Sequence, residues 1–227
     1  MTDANLKGWT IVFDLDGTLV DTAPDLHAAL NHCLAAAGYN TVPFEAIRGM
    51  IGDGAKAMIR KGLEADGVAP EDPVVEPLWT GFLEHYRANI CRLSRPFPDA
   101  LDTLSRLIGQ GARCAVCTNK TQQLAEEVLN GLELTRYFDA VVGADSVPEK
   151  KPHGGHILQT IAEAGGTPER AIMVGDSLTD ERAARNAGLP FIFVPFGYGP
   201  EPETPLETLL VAETYSDLSA VILSVTA

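Results

Sequence analysis

The sequence predicts an α/β protein: a doubly wound parallel sheet with a second, smaller all-helical domain inserted into it. Three observations carry this. Five short apolar runs, WTIVFD, ARCAVCT, DAVVGA, RAIMVGD and PFIFVPF, read as buried strands. Helix-like segments separate the later runs at the spacing of βαβ units. Between the first and second runs the rhythm breaks, and roughly 70 residues show helical patterning and no strand, a domain-scale insert. The expected division is a core of residues 1–20 and 95–227 and a helical domain of residues 21–94.

In chain order, the first strand run stops at Asp14. The insert follows, with helical patterns in APDLHAALNHCLAAAG, AKAMIRKGLEADG and EPLWTGFLEHYRANI. SRPFPDA, stiffened by Pro96 and Pro98, reads as the return hinge, and PDALDTLSRLIGQG as a helix leading back to the sheet. After the second strand run, TQQLAEEVLNG predicts a helix from Thr121 to a stop at Gly131. GGHILQTIAEAGG and DERAARNAG predict two more, each closed by glycine, the latter by Gly188. Because the insert leaves the core just after the first strand, it is placed to act as a lid.

The chain has 227 residues, 45% of them apolar, with no internal repeat and no low-complexity tract. A net charge of −14 argues against nucleic acid or an anionic membrane as a partner, but not against a small anion met by a local cation. MTDANLKGW has no basic segment followed by an apolar one, and no apolar run is long enough to span a membrane. The cytoplasm is the expected location, and a monomer or homodimer the expected state. Cys114 and Cys117 form a CxxC, but with Cys33 and Cys91 far away they are expected to pack as small apolar residues. His153 and His156 are expected to be exposed at a helix start, and Phe196 and Tyr198 to be packing residues at the sheet edge. GMIGDGAK lacks the G-K-[ST] ending and the preceding strand of a nucleotide loop.

In open parallel sheets ligands bind beyond the carboxyl ends of the strands. The first run delivers Asp14 and Asp16 there, the second Thr118, Asn119 and Lys120, and the fourth Asp176, Ser177 and Asp180. Lys150 and Lys151 follow the third run. Four carboxylates on one edge resist ionising together unless a cation is present. An all-oxygen site of this kind suits Mg²⁺, which shares itself with a phosphate. Thr118 and Asn119 supply donors at a helix start, where phosphate is favoured, and Gly17 permits close backbone approach. These parts fit attack by a carboxylate on phosphorus, with a second carboxylate moving the proton. Ser177 and Asp180 also fit a capping box.

DLDGTLVD, CTNK, KKP and GDSLTD, in this order, resemble the four motifs of the haloacid dehalogenase superfamily of aspartate-nucleophile phosphatases, over nearly the whole chain. The resemblance implies a Rossmann-like core with a helical cap. It implies Asp14 as nucleophile, Asp16 as general acid/base and Thr118 as phosphate donor. Lys151, or else Lys150, would neutralise charge. Asp176 would ligate Mg²⁺ beside Asp14 and the Asp16 carbonyl, with Asp180 orienting water or Lys151. Dehalogenases and phosphonate hydrolases of this superfamily lack the second aspartate, so Asp16 points to a phosphate-ester enzyme. Hexose phosphomutases usually carry valine where Thr18 stands.

The cap segment IRGMIGDGAKAMI resembles that of the phosphoglycolate phosphatases, through Arg48, Ile51, Gly52 and Gly54. Arg48 and Lys56 flank a glycine turn able to close over the core, and a guanidinium pairs well with a carboxylate. The expected substrate is therefore a small anionic phosphate ester, 2-phosphoglycolate first, with phosphosugars, pyrophosphate or a phosphomutase reaction as alternatives. A phospho-receiver module shares the sheet and the Asp, Thr and Lys, but is shorter and has no cap. Asp99, in PFPDA, stands where many relatives have glycine, a departure not expected to touch the chemistry.

Overall fold

The protein is described from a computed structural model, which covers residues 5–199, 205 and 209–226. The chain opens with β1 (Thr10–Phe13) and the two-residue β2 (Val20–Asp21). It then builds α1 (Ala23–Ala36), α2 (Phe44–Ile47), α3 (Ala55–Ala65) and α4 (Asp72–Ala88), and returns through β3 (Arg95–Pro96). The core continues with α5 (Ala100–Gly109), β4 (Arg113–Cys117), α6 (Gln122–Gly131), β5 (Ala140–Val142) and α7 (Gly154–Glu163). It ends with β6 (Ala171–Gly175), α8 (Leu178–Ala187), β7 (Phe191–Phe193), β8 (Leu210–Val211) and α9 (Tyr215–Thr226). No described helix is long and apolar enough to cross a membrane.

The main sheet runs β5-β4-β1-β6-β7-β8 and is parallel throughout. Val12 lies opposite Ala115 on one side and Met173 on the other. The chain winds outward from β1 through β4 and β5, then returns to β1's other flank with β6. That reversal puts the binding crevice at the carboxyl end of β1. Strand alternation sends Ile11, Phe13, Cys114 and Val116 to one apolar layer, and Val12, Cys117 and Met173 to the other. Cys114 and Cys117, three residues apart on one strand, therefore face opposite ways; both are free and buried, and burial pushes their thiols up to about 12.

All five expected strands form. β8 was not foreseen, because two residues are too few to show a pattern. The segment between the first two sheet strands is helical as expected, and α1 to α4 bury their own apolar cluster, which includes Leu30, Ile59 and Phe82. Where the return hinge was expected, β2 and β3 form an antiparallel ribbon, Val20 opposite Pro96 and Asp21 opposite Arg95. Asp25 ties this junction further, accepting from the backbone of Leu93 and Ser94 and from the Ser94 hydroxyl at 2.6 Å.

One helix boundary is corrected. α4 begins at Asp72, before the expected Glu76, because Pro73 suits a first helical turn. α6 ends at Gly131 as expected, and the left-handed residue after that helix is Glu133 (φ 59°). Gly188 does close α8 in the left-handed conformation (φ 71°). Asp99 adopts φ 61°, a region that glycine reaches freely, and accepts a hydrogen bond from Ser216 at 3.0 Å.

Candidate active site

Asp14 continues β1, its N–H donating to the Val174 carbonyl at 3.0 Å, and its side chain is buried. Asp14 Oδ1 accepts from the Leu15 N–H at 2.7 Å and pairs with Lys151 Nζ at 2.9 Å. The chain then turns at Gly17 (φ 91°). A Cβ there would fall 2.4 Å from Asp176 Oδ2, so glycine is what lets β1's turn and Asp176 share the edge. Asp176 accepts from Thr18 Oγ1 at 2.7 Å, and from the N–H groups of Tyr198 at 2.7 Å and Gly199 at 3.1 Å.

Lys151 is 2% exposed and bridges Asp14 to Asp180, with Nζ 2.7 Å from Asp180 Oδ1. Lys150 turns the other way, exposed, donating to the Asp53 carbonyl at 2.7 Å. Ser177 donates to Asp180 Oδ2 at 2.6 Å and accepts from the Asp180 N–H, so the α8 cap also fixes the acid that holds Lys151. His156 was expected to be exposed, and this is corrected: it is fully buried. Its Nδ1 accepts from the Lys151 N–H at 3.2 Å, and its Nε2 lies 3.1 Å from the Val142 carbonyl. Burial, with the nearby Lys151 charge, lowers His156 to about 4. His153 stays exposed, capping α7 by accepting from the Gly155 N–H.

The electrostatics are lopsided. Oxygens of Asp14, Asp176 and Asp180 lie within 4.8 Å of one another, all buried. Burial raises Asp14 to about 8, Lys151 opposing and Asp180 and Asp176 adding. Burial and then Asp180 raise Asp176 to about 6, against its hydrogen bonds from Tyr198, Thr18 and Gly199. One ammonium thus faces three carboxylates, which ionise together only if a further cation joins them. The donors are hard, anionic and all oxygen, and they fit Mg²⁺.

Asp16 meets a partner that the sequence did not assign. Its Oδ1 accepts from Thr22 at 2.6 Å, and Lys120 Nζ reaches Oδ1 at 2.8 Å and Oδ2 at 3.0 Å. Lys120 is buried, 5.0 Å from the Tyr86 ring centre; burial works against its charge, but Asp16 holds it above the usual lysine range. Thr118 Oγ1 accepts from the Lys120 N–H at 3.1 Å, which leaves its own hydrogen to donate. Asn119 was expected to donate to phosphate, but both amide hydrogens go elsewhere, to the carbonyls of Gly52 and Lys151, each at 3.1 Å. It links the cap's glycine loop to the lysine loop.

Two cap expectations also change. Gly52 and Gly54 line the cavity over Asp14, but Arg48 does not. The short 3₁₀ turn Arg48–Met50 buries Met50 and leaves Arg48 exposed, 5.7 Å from the Tyr198 ring centre. Tyr198, expected to be edge packing, joins the cap's apolar cluster, and its hydroxyl donates to Asp21 and accepts from the Ala23 N–H at 3.1 Å. Only its position after the last long strand pointed to a role at this edge.

The resulting cavity, about 270 Å³, has Asp14, Asp16 and Thr118 on one side and Met58, Trp79 and Phe82 from the helices on the other. Residues 11–194 match the haloacid dehalogenase-like hydrolase family. The chain is 45% identical over 215 residues to a phosphoglycolate phosphatase of Caulobacter vibrioides, covering 94% of this chain and 90% of that one. It resembles the crystal structure of a predicted phosphoglycolate phosphatase from Haemophilus somnus, with TM-score 0.85 and 26% identity over 98% of this chain and 99% of that one. It also resembles CbbY from Rhodobacter sphaeroides, solved in complex with phosphate, with TM-score 0.78 and 26% identity over 94% of this chain and 98% of that one. By motif order, sheet topology and these matches, the chain belongs to the haloacid dehalogenase-like hydrolase family.

Proposed function

We propose that this enzyme hydrolyses a small phosphate monoester, 2-phosphoglycolate, to glycolate and phosphate, through a phosphoryl group carried on Asp14. The observation that supports it most is the Lys151 bridge between Asp14 and Asp180, beside Asp176, under a small roofed cavity. Both named contacts of Asp14 land on Oδ1, so Oδ2 is the oxygen offered to phosphorus. As the Asp14–phosphorus bond forms, the ester bond breaks and the alcohol leaves with a proton from Asp16. Asp16 then takes a proton from water, which attacks phosphorus and frees Asp14. Lys151 and the Thr118 hydroxyl face the phosphoryl oxygens, and His156 and Asp180 hold Lys151 in place. Asp14, Asp176 and the Asp16 carbonyl would hold Mg²⁺, which neutralises phosphoryl charge when bound. The apolar helical wall of Met58, Trp79 and Phe82 lowers the polarity around the reacting group.

The substrate reading also draws on the 45% identity to a phosphoglycolate phosphatase. The experiment is a panel of 2-phosphoglycolate, sugar phosphates and pyrophosphate, each with Mg²⁺ and with chelator. Preference for 2-phosphoglycolate, lost with chelator, is the expected outcome. A flat profile, or turnover untouched by chelation, contradicts it.

A further inference from the structure

Three lysines line the cavity: Lys56, Lys120 and Lys150. Two are engaged at the rim. Lys56 pairs with Glu76 at 2.6 Å and lies over Trp79, and Lys150 holds the Asp53 carbonyl. Lys120 differs in being buried, at the start of α6, with Asp16 taking two of its contacts. An ammonium has three donors, so one remains. Beside it stands Tyr86, 1% exposed and lining the same cavity, its buried hydroxyl next to the Lys120 ammonium but not in well-formed hydrogen-bond geometry with it. Buried hydroxyls are rarely left so unless a ligand or water completes them.

We propose that Lys120, with the Tyr86 hydroxyl beside it, is the specificity-determining contact for a carboxylate on the substrate carbon next to the ester oxygen. This rests on the reading above and says which residues select its substrate. If Asp16 serves the leaving oxygen, a group touching Asp16 lies within one further contact of the carbon that oxygen is bonded to. A carboxylate on that carbon is two bonds from the oxygen, which brings it within reach of a cation that touches Asp16, as Lys120 Nζ does. The surroundings favour such a pairing: Met58, Phe82 and Leu124 enclose the site with apolar surface, which strengthens attraction between charges. An overall charge of −14 otherwise opposes a doubly anionic substrate, so a buried local cation is needed to admit one. An alkyl phosphate of equal size would gain nothing from Lys120 beyond its hold on Asp16.

The test separates these two roles by a ratio. With Mg²⁺ present, kcat/KM is measured for 2-phosphoglycolate and for ethyl phosphate, which lacks the carboxylate. Lys120→Met is expected to lower the 2-phosphoglycolate to ethyl phosphate ratio by about tenfold or more, chiefly through KM, as a lost charge-assisted hydrogen bond does. Lys120→Arg should restore part of the ratio, and Tyr86→Phe should lower it by about threefold. Lys120→Gln reads the same ratio should the methionine variant fold poorly. If both substrates fall together and the ratio stays within about twofold of wild type, Lys120 only positions Asp16 and the proposal is overturned. A wild-type enzyme with no preference for 2-phosphoglycolate overturns the functional reading and this proposal together. An unchanged ratio in Lys120→Met, in an enzyme that does prefer 2-phosphoglycolate, overturns this proposal alone.

Discussion

At the sheet edge the reactive side chains are held from several directions, whereas the cap loop above them rests on two hydrogen bonds. Lys151 is fixed by Asp14, Asp180 and, through its backbone, His156; Asp176 accepts from three donors. Across the cavity, the Gly52–Gly54 loop meets the core through Asn119 to the Gly52 carbonyl and Lys150 to the Asp53 carbonyl. The first region is built to stay in one geometry, as phosphoryl transfer requires. The second is held by fewer contacts, which fits the lid role proposed for it.

Asp14→Asn should give the largest effect on turnover and little on folding. Asparagine keeps an acceptor for Leu15 and Lys151 but cannot attack, so kcat should fall on the order of 10⁴-fold or more while the thermal midpoint stays near wild type. Lys151→Ala should break the comparison differently, because it strands Asp14 and Asp180 in the interior. Activity should be lost together with about 3 kcal/mol of stability, read from urea unfolding. Asn119→Ala should act on the lid side, raising KM by up to about tenfold with a smaller change in kcat. A KM that does not move would mean the loop docks without Asn119.

The smallest effect is a pH dependence of stability. His156 is held near 4 in the folded protein, below its unfolded value of about 6.5, so it folds neutral. Its contribution is complete above about 6.5 and is lost as pH falls toward 4, because the unfolded chain then binds a proton the folded one refuses. His156→Gln removes this contribution alone, so the difference in urea midpoint between wild type and variant should narrow as pH falls from about 6.5 toward 4.

The parts legible in the sequence are those packed into a few adjacent residues. DLDGTLVD and GDSLTD sit at strand ends, where a chain must change direction, so their acids announce both the sheet edge and the chemistry. The buried five strands were legible because parallel strands covered on both faces are short and continuously apolar. What could not be read depends on distant pairs. Lys120 meets Asp16 across 104 positions, and Tyr198 meets Asp21 across 177. The β2–β3 ribbon joins segments on either side of the insert. His156 looks like a surface residue at a glycine-rich helix start until the fold turns it under the lysine loop. Where Arg48 points was not legible for a related reason, since a 3₁₀ turn does not declare which of its faces looks at the core.

The central claim is that Asp14 carries the phosphoryl group. It is tested most directly by quenching the enzyme during turnover of 2-phosphoglycolate and locating phosphate on the digested chain by mass spectrometry. The account predicts one base-labile phosphoryl group on the peptide bearing Asp14, absent from Asp14→Asn. Label on any other residue, or none while product accumulates at the wild-type rate, would contradict it.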